Sequence, residues 1–143
     1  MLVLRWIVAL LAAIVVTAGL GSIIQTQFNL ARIATLNEPI DLGTRLEVTM
    51  FDLVSFAPLY AVIVALALLI AMLVATFLAR FLPRGHALLF ALAGFVAVAC
   101  ALVIMNLMMP VTIIAAVRTT TGLVAMSLAG AVGGWVYCWI GKK

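Results

Sequence analysis

The groups that could do acid–base chemistry are few, and most sit together. All four carboxylates, Glu38, Asp41, Glu47 and Asp52, fall within 38–52, alongside Arg45 and shortly after Arg32. Asp52, Arg45, Glu47 and the distant Arg118 could assist proton transfer on an amphiphilic substrate, but only if folding makes them converge. His86 is the single histidine. One imidazole cannot ligate a haem on both faces, and no Cys, Asp or Glu stands beside it to complete a metal set. Cys100 and Cys138 lie far apart inside apolar runs, with no CxxC spacing. They read as small hydrophobic residues rather than a redox pair. Met105, Met108 and Met109 could offer thioethers to copper, but in an apolar run they read as packing. No metal and no cofactor is expected.

One further polar residue interrupts an apolar run. Asn106 is expected to bond a neighbouring helix, or to cap its own before Pro110, because an unpaired amide in hydrocarbon is costly. Asn106, Asp52, Arg118 and Arg45 are therefore the candidate polar site. No span holds an internal Asp or Glu, which weakens a proton-coupled exporter.

These residues must be positioned by helices in lipid. Of the 143 residues 69% are hydrophobic and 8% are charged, too few charges for the surface of a soluble domain. The apolar residues come in runs near the roughly 20 residues needed to cross a bilayer. Four spans are expected, at about 4–25, 53–79, 87–109 and 120–140. The first resembles a signal peptide at its start but continues through Ile23 and Ile24, long for a signal core. The fold class is all-α, an integral membrane four-helix bundle forming a single transmembrane domain over 1–143.

The connection 26–52 carries a turn signal at Asn37-Glu38-Pro39. Residues 27–36 could extend the first helix. Asp41 could cap a second, short helix in which Leu42, Leu46, Met50 and Leu53 form an apolar stripe and Arg45, Thr49 and Asp52 a polar one. That pattern predicts an interfacial helix leading into the second span. Pro58, near the start of that span, predicts a mild kink, and Tyr60 reads as an interfacial anchor. Arg80 to His86 is a tight basic turn that makes the second and third spans antiparallel neighbours. Val111 to Val117 reads as an interfacial or re-entrant connection.

Charge orients the bundle. Arg5, Arg80, Arg84, Lys142 and Lys143 fall on one side with no acid, against Arg32, Arg45, Arg118 and all four acids on the other. Five basic residues against three predict both termini in the cytoplasm, in a bacterial inner membrane. Trp135, Tyr137 and Trp139 before the closing lysines, and Trp6 beside Arg5, form aromatic belts on that side.

Helix packing has its own signal. Gly130 and Gly134 make a small-xxx-small pair, and Ala125, Ala129 and Gly133 a second row at four-residue spacing. Such rows let helix backbones approach closely where lipid supplies no hydrophobic drive. The sequence therefore reads as a small accessory subunit whose partners are lipid and either other membrane proteins or its own copies. A small oligomeric transporter or channel and a lipid-directed enzyme are the alternatives. The net charge of +4 has no cluster suited to nucleic acid.

Overall fold

The computed structural model of the chain describes residues 1–36, 40–109 and 115–142. Four α-helices account for nearly all of them: α1 (Leu2–Leu36), α2 (Leu42–Ala79), α3 (His86–Met108) and α4 (Thr120–Lys142), with a 3₁₀ turn at Ala115–Arg118 before α4. Each of the four is long and apolar enough to cross a membrane. They pack as an up-down-up-down bundle in which each helix touches its sequence neighbour and α4 closes the ring against α1. The molecule is thus a compact four-helix membrane-spanning bundle.

The helices come in two lengths. At 23 residues each, α3 and α4 are about 34 Å long, close to the hydrocarbon thickness of roughly 30 Å. α1 and α2 have 35 and 38 residues, about 52 and 57 Å by the same rise. The extra length lies at the end where α1 passes into α2, so this pair projects beyond α3 and α4 as a helical hairpin.

That geometry corrects the expectation of a separate interfacial helix. No such helix exists among the described residues. Residues 26–36 are the continuation of α1, and 42–52 are the first turns of α2. Asp41 does cap as expected, accepting from the Thr44 amide at 3.2 Å, but the helix it starts is α2 itself. Polar residues need not break a helix when a neighbouring helix satisfies their side chains, and here it does. α2 also runs through Pro58 as one element. The Asn37-Glu38-Pro39 turn and residues 110–114 of the expected re-entrant connection lie outside the described residues.

The turn between α2 and α3 works by two devices. Gly85 adopts φ 80°, a left-handed conformation that a side chain would strain. His86 directs Nε2 at the carbonyl oxygens of Leu82 (2.8 Å) and Ala79 (3.3 Å), so this nitrogen carries the hydrogen and donates to the open end of α2. Sequence reading does not foresee this capping role for His86. At the start of α4, Thr119 Oγ1 accepts from the Gly122 amide at 3.1 Å.

Both chain termini lie at the same end of the bundle, here the terminal end. Arg5 donates to the Gly141 carbonyl oxygen at 2.7 Å. Trp6 and Phe90 each pack on Tyr137 with ring centroids 5.5 Å apart, joining α1, α3 and α4.

Candidate functional site

Glycine determines how closely the helices meet. A Cβ built on Gly130 would collide with the Gly94 carbonyl oxygen and with Val98, and one on Gly134 with the Phe90 carbonyl oxygen. One on Gly94 would strike the Gly130 carbonyl in return. The Gly130–Gly134 pair therefore lies backbone to backbone against α3. On an adjacent face, a Cβ on Gly133 would strike Thr17 Oγ1 and come within 3.0 Å of the Ala13 carbonyl oxygen of α1. Ala129 is buried and Ala125 half-buried. α4 thus presents glycine to two helices of its own chain. The facing glycine, Gly94, is one that sequence reasoning missed. Its signal was a lone glycine amid larger residues on α3.

The projecting hairpin holds a dense polar cluster among the described residues, and the cluster faces inward. Asp52 Oδ2 accepts from Thr26 Oγ1 at 2.6 Å. Gln27 donates to Thr49 Oγ1 at 3.2 Å and accepts from the Arg45 guanidinium at 3.4 Å. Thr49 donates back to the Arg45 carbonyl at 2.7 Å, and Thr26 is shared with the Ser22 carbonyl at 2.9 Å. Two of the expected site residues, Asp52 and Arg45, therefore bond across from α2 to α1 in two adjacent groups, Asp52 to Thr26 and Arg45 to Gln27. Asn106 lies on the exposed side of the last turn of α3, and Arg118 is exposed at the end of the 3₁₀ turn.

The apolar stripe of the same hairpin faces outward. Leu42, Leu46, Met50 and Val54 follow one another at four-residue spacing and are 73%, 60%, 61% and 74% exposed. Leu36, at the end of α1, is 78% exposed as well. The exposed surface of the hairpin is therefore mixed, with this apolar ridge standing beside the exposed Arg32 and Glu47, while Leu30 is buried between the helices.

Below the polar cluster a series of hydroxyls enters the bundle. Ser22, Tyr60 and Thr17 are each buried to 1% exposure or less, and their hydroxyl oxygens have no hydrogen-bond partner among the described residues. Tyr60 is thus no interfacial anchor. Its ring lies against Gly21, where a Cβ would meet the ring edge, and it stacks on Phe56 with centroids 5.4 Å apart. Counting from Arg5, Thr17 stands about 18 Å and Thr26 about 31 Å along α1. The hydroxyls therefore run from near the middle of the membrane to its boundary at the hairpin end. The signal for them was present in sequence as Ala18-Ser22-Thr26 and Thr17-Gly21-Gln25 at four-residue spacing.

Among the described residues no group of three or more His, Cys, Asp or Glu side chains could hold a metal ion. The chain matches no family model, no curated protein and no solved structure.

Proposed function

We propose that this chain is a membrane accessory protein that docks onto another membrane protein through the outward apolar face of its α1–α2 hairpin. The observation that carries this reading is the exposed apolar ridge of that hairpin. Thr26, Gln27, Arg45, Thr49 and Asp52 bond between the two helices, while Leu36, Leu42, Leu46 and Met50 stand exposed on the part of the pair that extends past α3 and α4. A bundle whose shorter helices already match the hydrocarbon leaves this ridge in the headgroup zone or beyond it. Apolar surface of this kind away from hydrocarbon is unfavourable unless something covers it. A second membrane protein with an apolar face at the same height is the occupant that fits. The glycine rows of α4 are engaged within the chain, which leaves the hairpin as the docking surface.

The proposed orientation puts the terminal end in the cytoplasm of a bacterial inner membrane and the hairpin on the far side. It rests on the five basic residues and absence of acids at that end.

The test is migration of the mildly solubilised native membrane fraction on a native gel, with a differently tagged second copy co-expressed. The wild type is expected in a species larger than the lone chain and without the second tag. Leu42→Gln, Leu46→Gln and Met50→Gln combined should release it. A wild type that migrates alone, fully folded, overturns the reading, and recovery of the second tag replaces it with self-association.

A second reading, a small-solute path, is favoured by the buried hydroxyls of Thr17, Ser22 and Tyr60. Leaving a buried hydroxyl unpaired costs about 1–3 kcal/mol. A polar solute moving past them would meet that need. Proteoliposomes carrying Tyr60→Phe should then lose solute flux relative to wild type, and equal flux from both and from empty liposomes excludes the path.

A further inference from the structure

The seams between helices are not equally closed. Glycines bring α4 against α1 and α3, whereas α2 and α3 are the least intimately packed neighbouring pair. Between them runs a groove of about 940 Å³ open to the surrounding membrane. Its floor is made of alanine: Ala67, Ala71 and Ala75 on α2 face Ala93, Ala97 and Ala101 on α3, each set at four-residue spacing. Alanine is too large for the backbone contact that glycine permits and too small to fill the gap that results. Exposed Leu66, Ile70 and Val74 on one side and Leu92 and Val96 on the other raise the rims. From Val62 to Leu78 the slot is about 24 Å long at the helical rise, enough to take a lipid chain along its full length.

The two ends of the groove differ in charge. Leu78 and Leu89 close its lining just inside the α2–α3 turn, and that turn carries Arg80 and Arg84, both exposed. Among the described residues no acid is near to offset them, since Asp41, Glu47 and Asp52 lie at the opposite end of the bundle. His86, by contrast, is occupied in capping α2. An apolar slot with two exposed guanidinium groups at one mouth matches one kind of occupant, an amphiphile with a long hydrocarbon chain and an anionic head.

We infer that the α2–α3 groove is a binding site for an anionic phospholipid, with an acyl chain laid along the alanine floor and the phosphate held by Arg80 and Arg84. Guanidinium groups grip phosphate through paired N–H donors. The site is separate from the docking ridge on the opposite end of the molecule, and neither reading depends on the other.

Native mass spectrometry of the detergent-purified chain tests it. The probes are phosphatidylglycerol, phosphatidylcholine with the same acyl chains, and inorganic phosphate. The wild type should retain phosphatidylglycerol at least about tenfold more tightly than phosphatidylcholine, the scale expected of two arginines at a lipid surface, and should retain no inorganic phosphate. Arg80→Gln with Arg84→Gln should abolish the preference while leaving weak, unselective lipid retention. These are exposed turn residues, so folding is not at stake, and an unchanged melting temperature checks that. Lys142→Gln removes positive charge from the same end away from the groove and should leave the preference intact. Ala71→Leu with Ala97→Leu should weaken retention of both lipids. Equal retention of the two lipids by the wild type overturns the inference. So does an equal loss of preference in the lysine variant, which would make the effect diffuse attraction, or retention of inorganic phosphate alone.

Discussion

Asp52 and Thr26 show how a hydroxyl can hold a carboxylate at the edge of a membrane. The Thr26 hydroxyl reaches Asp52 at 2.6 Å while its oxygen stays close to the Ser22 carbonyl. A hydrogen bond to an ionised group is among the stronger ones. Thr26→Val should therefore destabilise the bundle by about 1–2 kcal/mol, read as a lower melting temperature in detergent. Asp52→Asn should cost less, because the amide can still accept from Thr26. At the start of α2 the Asp41 carboxyl is held below its usual range by the side-chain and backbone hydrogen bonds from Thr44. A folded value below the unfolded one means that the cap contributes at pH values above the unfolded value near 3.8. The contribution is lost as pH falls through the lower folded value. Amide exchange at Thr44 and Arg45 should accordingly rise, relative to the rest of α2, as pH drops from 5 to about 2, and Asp41→Asn should flatten that dependence. These local roles were partly legible: Asp41 as a cap follows from its place before Leu42. Thr26 as the partner of Asp52 was not, because the two are on different helices and their register is set by the whole hairpin.

At the scale of elements, the glycines separate contact from mere helix composition. Gly94 and Gly134 face backbone atoms that cannot move aside, so Gly94→Ala or Gly134→Ala should force α3 and α4 apart and cost at least about 2 kcal/mol. Gly19 also lies in a helix, yet a Cβ there would meet nothing within 4 Å. Gly19→Ala should be neutral or stabilise by up to about 1 kcal/mol, since alanine is the better helix former. Thermal melts of the three variants in one detergent make the comparison. If Gly19→Ala proved as damaging as Gly94→Ala, the close α3–α4 contact would be wrong. The small rows of α4 could be read from spacing alone. Which helix each row meets could not, since Gly130 and Gly133 differ by less than a turn and yet face different neighbours. The same limit explains the expected interfacial helix. The stripes of 42–53 were read properly as a helix, but its continuity with the second span depends on Asp52, Thr49 and Arg45 finding partners on α1.

For the whole molecule, the arrangement makes a strong statement about sidedness. The Arg5–Gly141 bond and the Trp6–Tyr137 contact hold both termini at one end, with the α2–α3 turn there as well. In intact cells, single cysteines at Leu2→Cys and Lys142→Cys should behave alike toward a membrane-impermeant thiol reagent. Under the proposed orientation both stay unlabelled, while Thr44→Cys on the hairpin is labelled. Opposite behaviour of the two terminal positions would contradict the fold itself, and labelling of both would reverse only the orientation. The bundle also divides its tasks by height. The terminal end is basic and aromatic, the middle is closed by glycine where α4 meets α1 and α3 and left open between α2 and α3, and the far end carries the polar contacts of the hairpin beside its apolar ridge.

Composition and run length determined by themselves that the chain forms four apolar helices, because hydrocarbon demands internally bonded backbone over a known thickness wherever charge is absent. They also marked where charge collects, and the spacing of glycine and alanine on α4. Tertiary structure alone decided which way each stripe faces. In water the apolar side of a helix turns inward without being told. In lipid that drive vanishes, so facing is set by close packing and hydrogen bonding between particular helices. That is why the polar side of the hairpin, the ring of Tyr60 and the hydroxyl of Thr17 could turn inward, and why an alanine-floored slot remained between α2 and α3.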